Sequence, residues 1–376
     1  MALKDDLKPM PTERGQICLC AQFAFVRNLE GLPFPDRMSD AARRRRSKEV
    51  IKRLQACAPR FLELTHELEA LNTHLSVMLL TAPESRLPGY ALLFLAEPEG
   101  VEASIWCEVM GANHLAFSVI ASAQQLSPAD YDRLAEQLQR FVDRLEPAFN
   151  FARTEQLGYL TRQLTLTGSG FRLRVWLHLA GLMHFDHLRE LENAANFSEL
   201  RIDTSNDTGT QTPPGALCIL FNGRSLRYNA VEETRTLQRF LGSVIRQERN
   251  ARERLLVEEP YVLLDIISRL QATLRVALMI TPDELSDCLS DFYLAWDLGV
   301  ISPKHRPRSL PPMITALTLD DNHLSEPICR DLLERAYLPE AVRSFPPWFK
   351  AAARASWMRS NLDFSISRDF KRRAMR

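Results

Sequence analysis

The residues best placed to do chemistry lie between Leu157 and Leu179. Gly168 and Gly170 open a run, Phe171 to His178, in which Phe171, Leu173, Val175 and Leu177 alternate with Arg172, Arg174, Trp176 and His178. Period-two alternation marks a strand with two unlike faces. Glycines ahead of it let the backbone turn tightly or approach a ligand, and a guanidinium on such a strand grips phosphate through its planar fork. An ordinary hairpin entering a sheet has the same order of parts, so spacing leaves both readings open.

Other reactive groups are less organised. Arg43-Arg44-Arg45-Arg46 lies inside a helical pattern, so its four charges spread around the helix and read as solvated surface. His184-x-x-His187 shares one helix face, but no Cys, Asp or Glu constellation nearby completes a metal site, and no metal is expected. No G-x-S-x-G elbow is present. The seven cysteines are scattered through apolar runs without a CxxC pair and read as reduced thiols.

The elements that must position the basic strand follow from periodicity. Residues 1–15 are polar and read as an N-terminal strap. Strands are expected at Gln16–Val26, His74–Thr81, Tyr90–Ala96, Ala103–Met110, His114–Ala121, Leu200–Thr204 and Ala216–Asn222. A helix starts at Ser39, and another at Ser127-Pro128, whose Tyr131, Leu134, Leu138, Phe141, Val142 and Leu145 recur at helical spacing. Phe185–Asn196 and Val231–Leu256 also read as helices. Strands interleaved with long helices through hairpin-like links predict an α+β fold with a large, mostly antiparallel sheet flanked by helices. From Pro260 the period is wholly helical, with a capping box at Thr281-Pro282-Asp283-Glu284. The expected division is a 1–15 strap, a 16–257 sheet domain, a 258–345 helical domain, and a 346–376 basic, aromatic tail.

Wording adds to spacing here. Leu157-Gly158-Tyr159-Leu160-Thr161, the Thr167-Gly168-Ser169-Gly170-Phe171-Arg172 turn, Val26 through Pro35, Asn113-His114-Leu115, Gln247 through Glu253, and the blocks Leu289-Ser290-Asp291 and Asp297 through Ile301 resemble, in order, the ATP:guanidino phosphotransferases, and among them the bacterial protein arginine kinases. The resemblance implies a guanidino-kinase-like catalytic fold, with homodimers assembled partly through the helical domain.

It also implies where catalysis belongs. Phosphoryl transfer to a guanidinium needs cations around the phosphates and a carboxylate that holds the guanidinium and takes its proton. The family's S-x-R-x-R arginines fall at Gln22 and Ala24. Its N-E-E-D-H-L-R motif reads Met110-Gly111-Ala112-Asn113-His114-Leu115-Ala116, so both glutamates and the arginine are gone. The C-P-T-N cysteine is Gln163, the proline Leu164 and the asparagine Leu166, and the R-G-x-Y-G-E loop reads Thr204 through Thr212 without either charge. Arg172 alone matches a phosphate arginine, with Arg174, Arg201 and Arg224 the nearest substitutes. The family's phosphoarginine motif, RDxxRA, falls at Arg330-Asp331-Leu332-Leu333-Glu334-Arg335-Ala336 with one extra residue; Asp331 and Arg335 lie one turn apart and form a weak pocket candidate or a plain surface ion pair.

Three readings follow. The first is a catalytically degenerate member, without cofactor, acting as a regulatory or scaffolding partner of an active homologue, a kinase activator or Clp protease components. The second is an active Mg-ATP-dependent enzyme with relocated groups, and the third a phosphoarginine-binding module. Acidic and basic residues balance at 47 each, which favours neither nucleic acid nor membrane as partner. With no apolar run of spanning length and no signal-like start, the chain is expected to be cytoplasmic.

Overall fold

The computed structural model describes residues 17–58, 62–63, 88–95, 100–101, 103–122, 126–203, 214–223, 229–303 and 347–375. Strands β1 (Cys18–Arg27), β2 (Leu62–Glu63), β3 (Ala91–Leu95), β4 (Ile105–Val109), β5 (Leu115–Ser122), β8 (Phe171–His178), β9 (Leu200–Asp203) and β10 (Leu217–Asn222) form one sheet. A short hairpin, β6 (Arg153–Thr154) and β7 (Gly158–Tyr159), stands apart. The sheet order is β2-β3-β4-β5-β1-β8-β10-β9, and every pairing is antiparallel. The α+β expectation therefore holds. The strand expected at His74–Thr81 and the strap lie outside the described residues.

Apolar alternation decides which face is covered. Phe23, Phe117, Leu173 and Leu220 point one way into a continuous core. Helices α2 (Pro128–Leu145) and α5 (Ala230–Glu258) lie over them, with Phe23 against Tyr131 at 5.5 Å and Phe117 against Phe141 at 6.1 Å between ring centroids. Both helices begin in capping boxes, Ser127/Asp130 and Asn229/Glu232, which satisfy their first free N–H groups. Helix α1 (Asp40–Cys57) is capped by Ser39 as expected. Its Arg43 corrects the reading of a solvated arginine run. That side chain is 2% exposed and donates to the Met110 carbonyl at 3.3 Å, while Arg44 and Arg45 stay in solvent. The helix expected at 185–196 starts at Leu188, as α4 (Leu188–Phe197); a separate short helix, α3 (Ala180–His184), precedes it, and the chain turns between them at Asp186, whose φ is 56°.

The C-terminal unit holds α6 (Pro260–Val276), α7 (Pro282–Asp297), the β11 (Ile301–Pro303) and β12 (Phe364–Ile366) pair, α8 (Pro347–Asn361) and α9 (Arg368–Ala374). The basic, aromatic residues described at 347–375 pack on it. Met358, Leu362, Phe364 and Phe370 are buried with α6 and α7, and Arg354 donates to the Ile280 carbonyl at 2.9 Å. Leu19, Cys20, Trp176 and Leu217 of the sheet join the same apolar cluster, so the unit seals the far end of the sheet's second face.

Two buried polar networks fasten these layers. In the first, Arg252 on α5 donates to Glu248 and Asp297 at 2.6 Å each and to the His178 carbonyl at 2.9 Å. Glu248 also accepts from the Gly181 and Leu182 amides at 2.9 and 2.8 Å. His178 continues the chain to Ser290 on α7 at 2.8 Å. Burial pushes the Glu248 carboxyl up, and the guanidinium and two amides pull it back. Gly181 is required because a Cβ there would sit 2.9 Å from the Arg252 amide nitrogen.

In the second network, Asn28 donates to Asn113 Oδ1 at 2.7 Å and to the Leu160 carbonyl at 3.0 Å, and accepts from the His114 amide at 2.9 Å. Asn113 Oδ1 also takes the Arg162 amide at 2.8 Å. His114 Nδ1 accepts the Leu29 N–H at 3.2 Å, so the ring proton sits on Nε2 and goes to the Pro33 carbonyl at 3.1 Å. Arg27 lies 3.6 Å above the Tyr159 ring and donates to Ser169 O and Val26 O. Gly170, at φ 68°, makes room for it, since a Cβ there would meet Arg27 Nη1 at 2.5 Å.

Each network yields a prediction. Arg252→Met leaves Glu248 and Asp297 buried without their cation and should cost about 3–5 kcal/mol in denaturant unfolding. Arg269→Ala, which breaks an exposed pair with Asp265, should stay within about 0.5 kcal/mol; equal effects would show that the Arg252 network does not fasten the layers. Burial pushes His114 down to about 4, against about 6.5 unfolded. The unfolded chain thus takes up a proton below about 6.5 that the folded chain refuses until about 4, so stability is full above that window and falls with pH through it, by up to about 3 kcal/mol. Melting curves from pH 7 to pH 4.5 should fall less steeply for His114→Gln than for the natural chain. Parallel curves would remove His114 as the group responsible.

Candidate functional site

The second sheet face carries the residues the sequence singled out. Across the strands, one row runs Trp106, Ser118, Ala24, Arg172. The next runs Ile120, Gln22, Arg174, Phe221, Arg201. Glu108, Ala116 and Val26 make a third row on the opposite side of the first. Beyond the second row, Trp176, Ile219 and Asp203 lead into the part sealed by the helical unit.

The turn into β8 is held by a carboxylate the sequence reading missed. Glu233, 4% exposed in the first turn of α5, accepts from Ser169 Oγ at 3.0 Å and from the Asn222 amide group. Asn222 in turn donates to the Phe171 carbonyl at 2.9 Å and accepts from the Leu173 amide at 2.8 Å. Ser169 Oγ also caps the Phe171 amide at 3.0 Å. These bonds fix the start of β8, and with it Arg172 and Arg174, both half-buried on the second face.

The positions implied as catalytic are placed as follows. Gly111 and Ala112 lie in the Met110–His114 turn between β4 and β5, which carries no carboxylate; the backbone is pinned there by Met110 N to His114 O at 2.9 Å. Gln22 is 4% exposed and donates to Ser118 Oγ at 3.4 Å. Ala24 is fully buried between Ser118 and Arg172. Gln163 is exposed, and Leu164, 86% exposed, stands out in solvent. Leu166 folds inward onto Val26 and Ala116 as a separate apolar cluster. Phe117 faces the opposite side, in the helix-covered core. Hydrocarbon thus fills the place where Ala116 and Leu166 stand for an arginine and an asparagine.

Two further features of this face follow from the pairing register. Glu108 lies opposite Ala116 and puts a carboxylate where the resemblance implies a phosphate cation. Its signal was present, because in the run Ile105–Val109 it alternates with the core-facing Cys107 and Val109. Arg201 was named as a substitute, and the register brings it into one row with Arg174, across Phe221. Arg224, the Thr204–Thr212 loop, Asp331 and Arg335 lie outside the described residues. His184 and His187 diverge, the first toward Glu259 at 2.9 Å and the second toward Glu190 at 3.1 Å. No described helix is long and apolar enough to cross a membrane.

Residues 100–251, which run from before β4 into α5, match the family model for the ATP:guanido phosphotransferase C-terminal catalytic domain. The chain is 29% identical to a protein-arginine kinase of Symbiobacterium thermophilum, across 93% of this chain and 94% of that one. With a protein-arginine kinase of Clostridium acetobutylicum it shares 24% identity, across 80% and 86%. The substrate-free duplicated taurocyamine kinase of Schistosoma mansoni overlays with a TM-score of 0.46 at 14% identity, over 65% of this chain and 35% of that one. In the matched sheet and helix, and in its near full-length likeness to bacterial protein-arginine kinases, the chain is similar to the ATP:guanido phosphotransferases.

Proposed function

We propose that the chain is a catalytically degenerate, protein-arginine-kinase-like protein that works as a regulatory or scaffolding partner. The observation that carries this reading is the β4–β5 turn, where Gly111 and Ala112 leave no carboxylate to take a proton from a guanidinium, beside the apolar Val26–Ala116–Leu166 cluster. Removing one preorganised charge-stabilising donor costs about 3 kcal/mol of barrier, and groups acting together are not additive. Gln22, Ala24 and Ala116 remove several at once along with the carboxylate. A protein that keeps the fold without the chemistry acts through its surfaces, with an active homologue, a kinase activator or Clp protease components as candidate partners, itself as a homodimer in the cytoplasm.

A second reading, an active Mg-ATP-dependent protein arginine kinase with relocated groups, has its own support. The relatives that span most of this chain carry the name protein-arginine kinase, and those names speak for activity more than against it. Arg172, Arg174 and Arg201 on one face, with Glu108 as a carboxylate three strands away, are the groups such a mechanism would use.

Phosphorus NMR separates the two. The purified chain, given Mg·ATP and an arginine-rich protein, should form no phosphoarginine above the uncatalysed background. Formation that disappears in Arg172→Ala would overturn the first reading and establish the second.

A further inference from the structure

We propose that the anion site of this chain has moved, from the β1–β5 part of the sheet face to the β8–β10–β9 edge, where Arg174 and Arg201 flank Phe221 and take a phosphate or diphosphate group. The proposal rests on the fold and the sheet register and is independent of whether the chain catalyses phosphoryl transfer.

The register carries it. Phe221 pairs with Arg174 on one side and with Arg201 on the other. Adjacent strands are about 4.8 Å apart, so the two arginine Cα atoms stand about 10 Å apart, a span that two arginine side chains can close on one oxyanion. Arg172 is two residues along β8 on the same face, about 7 Å away. Arg201 is exposed, and Arg172 and Arg174 are half-buried, so all three reach solvent. Gly223 leaves room for the Arg201 stem, whose Cγ would lie 3.3 Å from a Cβ at that position. Among β8, β10 and β9 the only acidic residue is Asp203, paired with Ile219 one row beyond Phe221. Three guanidinium forks on one face suit a multiply charged oxyanion better than a single carboxylate.

The other end of the face repels the same ligand. Glu108 stands opposite Ala116, and Leu166 covers Val26 and Ala116 with hydrocarbon. An anion placed there would meet that carboxylate and an apolar cover. Glu108 lies five strand spacings from Arg201, about 24 Å, well beyond the screening length of about 8 Å at physiological salt. The two positions are therefore electrostatically separable.

Calorimetric titration of pyrophosphate into the full chain tests this, with Arg174→Ala, Arg201→Ala and Glu108→Gln as variants whose melting temperatures are measured alongside. Saturable binding is expected, weakened about tenfold or more by either arginine change and altered less than about twofold by Glu108→Gln. An ADP arm identifies the source: affinity equal to that of pyrophosphate marks a free-phosphate site, and tighter binding that still needs Arg201 marks a nucleotide's phosphates. No heat of binding up to millimolar pyrophosphate overturns the proposal. So does binding that ignores Arg201→Ala and tightens in Glu108→Gln, which would put the anion beside Ala116. Either failure leaves the phosphoarginine measurement above untouched.

Discussion

A guanidinium and a carboxylate taken out of water must find each other or destabilise the fold, and this constraint organises the junction of the two parts of the chain. Arg252 and Glu248 are 2% and 0% exposed. Meeting their bonding needs brings together one turn of α5, the first amides of α3, the end of β8 and Asp297 at the end of α7. The helical unit cannot shift against the sheet without uncovering these charges. A buried ion pair is weak evidence of net stabilisation, because hydrocarbon of the same shape can do as well. What it supplies here is a fixed arrangement, in which the end of β8 is set by Arg252 and its start by Glu233.

The wording through which the family is recognisable falls largely on bonds of this kind. Arg27, Asn28, Asn113 and His114 join the ends of β1 and β5 to the Leu157–Thr161 segment, while Gly170 clears a path for Arg27. Each of these residues answers a packing or hydrogen-bonding need of the fold. Several positions that the resemblance assigns to phosphate and guanidinium answer no such need, and Gln22, Ala24, Gly111, Ala112 and Ala116 stand there. Gln22 and Ser118 satisfy each other, and Leu166 fills the gap left beside Ala116.

Much of this was legible in the sequence, for reasons that differ by element. Alternation in Phe171–His178 showed both faces of β8, because burial on one side alone forces period two. The capping boxes at Ser127 and Thr281 marked helix starts to the residue, since their bonds are local. Arg43 was misread because its partner, the Met110 carbonyl, is 67 residues away, and no local pattern reports such a partner. The start of α4 at Leu188, three residues beyond Phe185, is not legible because the apolar spacing runs through the left-handed turn at Asp186. The row of Arg174, Phe221 and Arg201 depends on pairing register between strands distant in sequence. Glu233 was hidden for the same reason, reading as an ordinary acidic residue in a helix's first turn.

Loss of the charged groups, with the scaffold intact, is the central claim, and restoring them tests it most directly. The measurement is the rate of ATP-dependent phosphoarginine formation in a chain carrying Gln22→Arg, Ala24→Arg, Gly111→Glu, Ala112→Glu and Ala116→Arg, beside the natural chain under identical conditions. The account predicts a measurable rate in the restored chain and none above background in the natural one. Equal rates in the two, or a folded restored chain that stays silent, would contradict it.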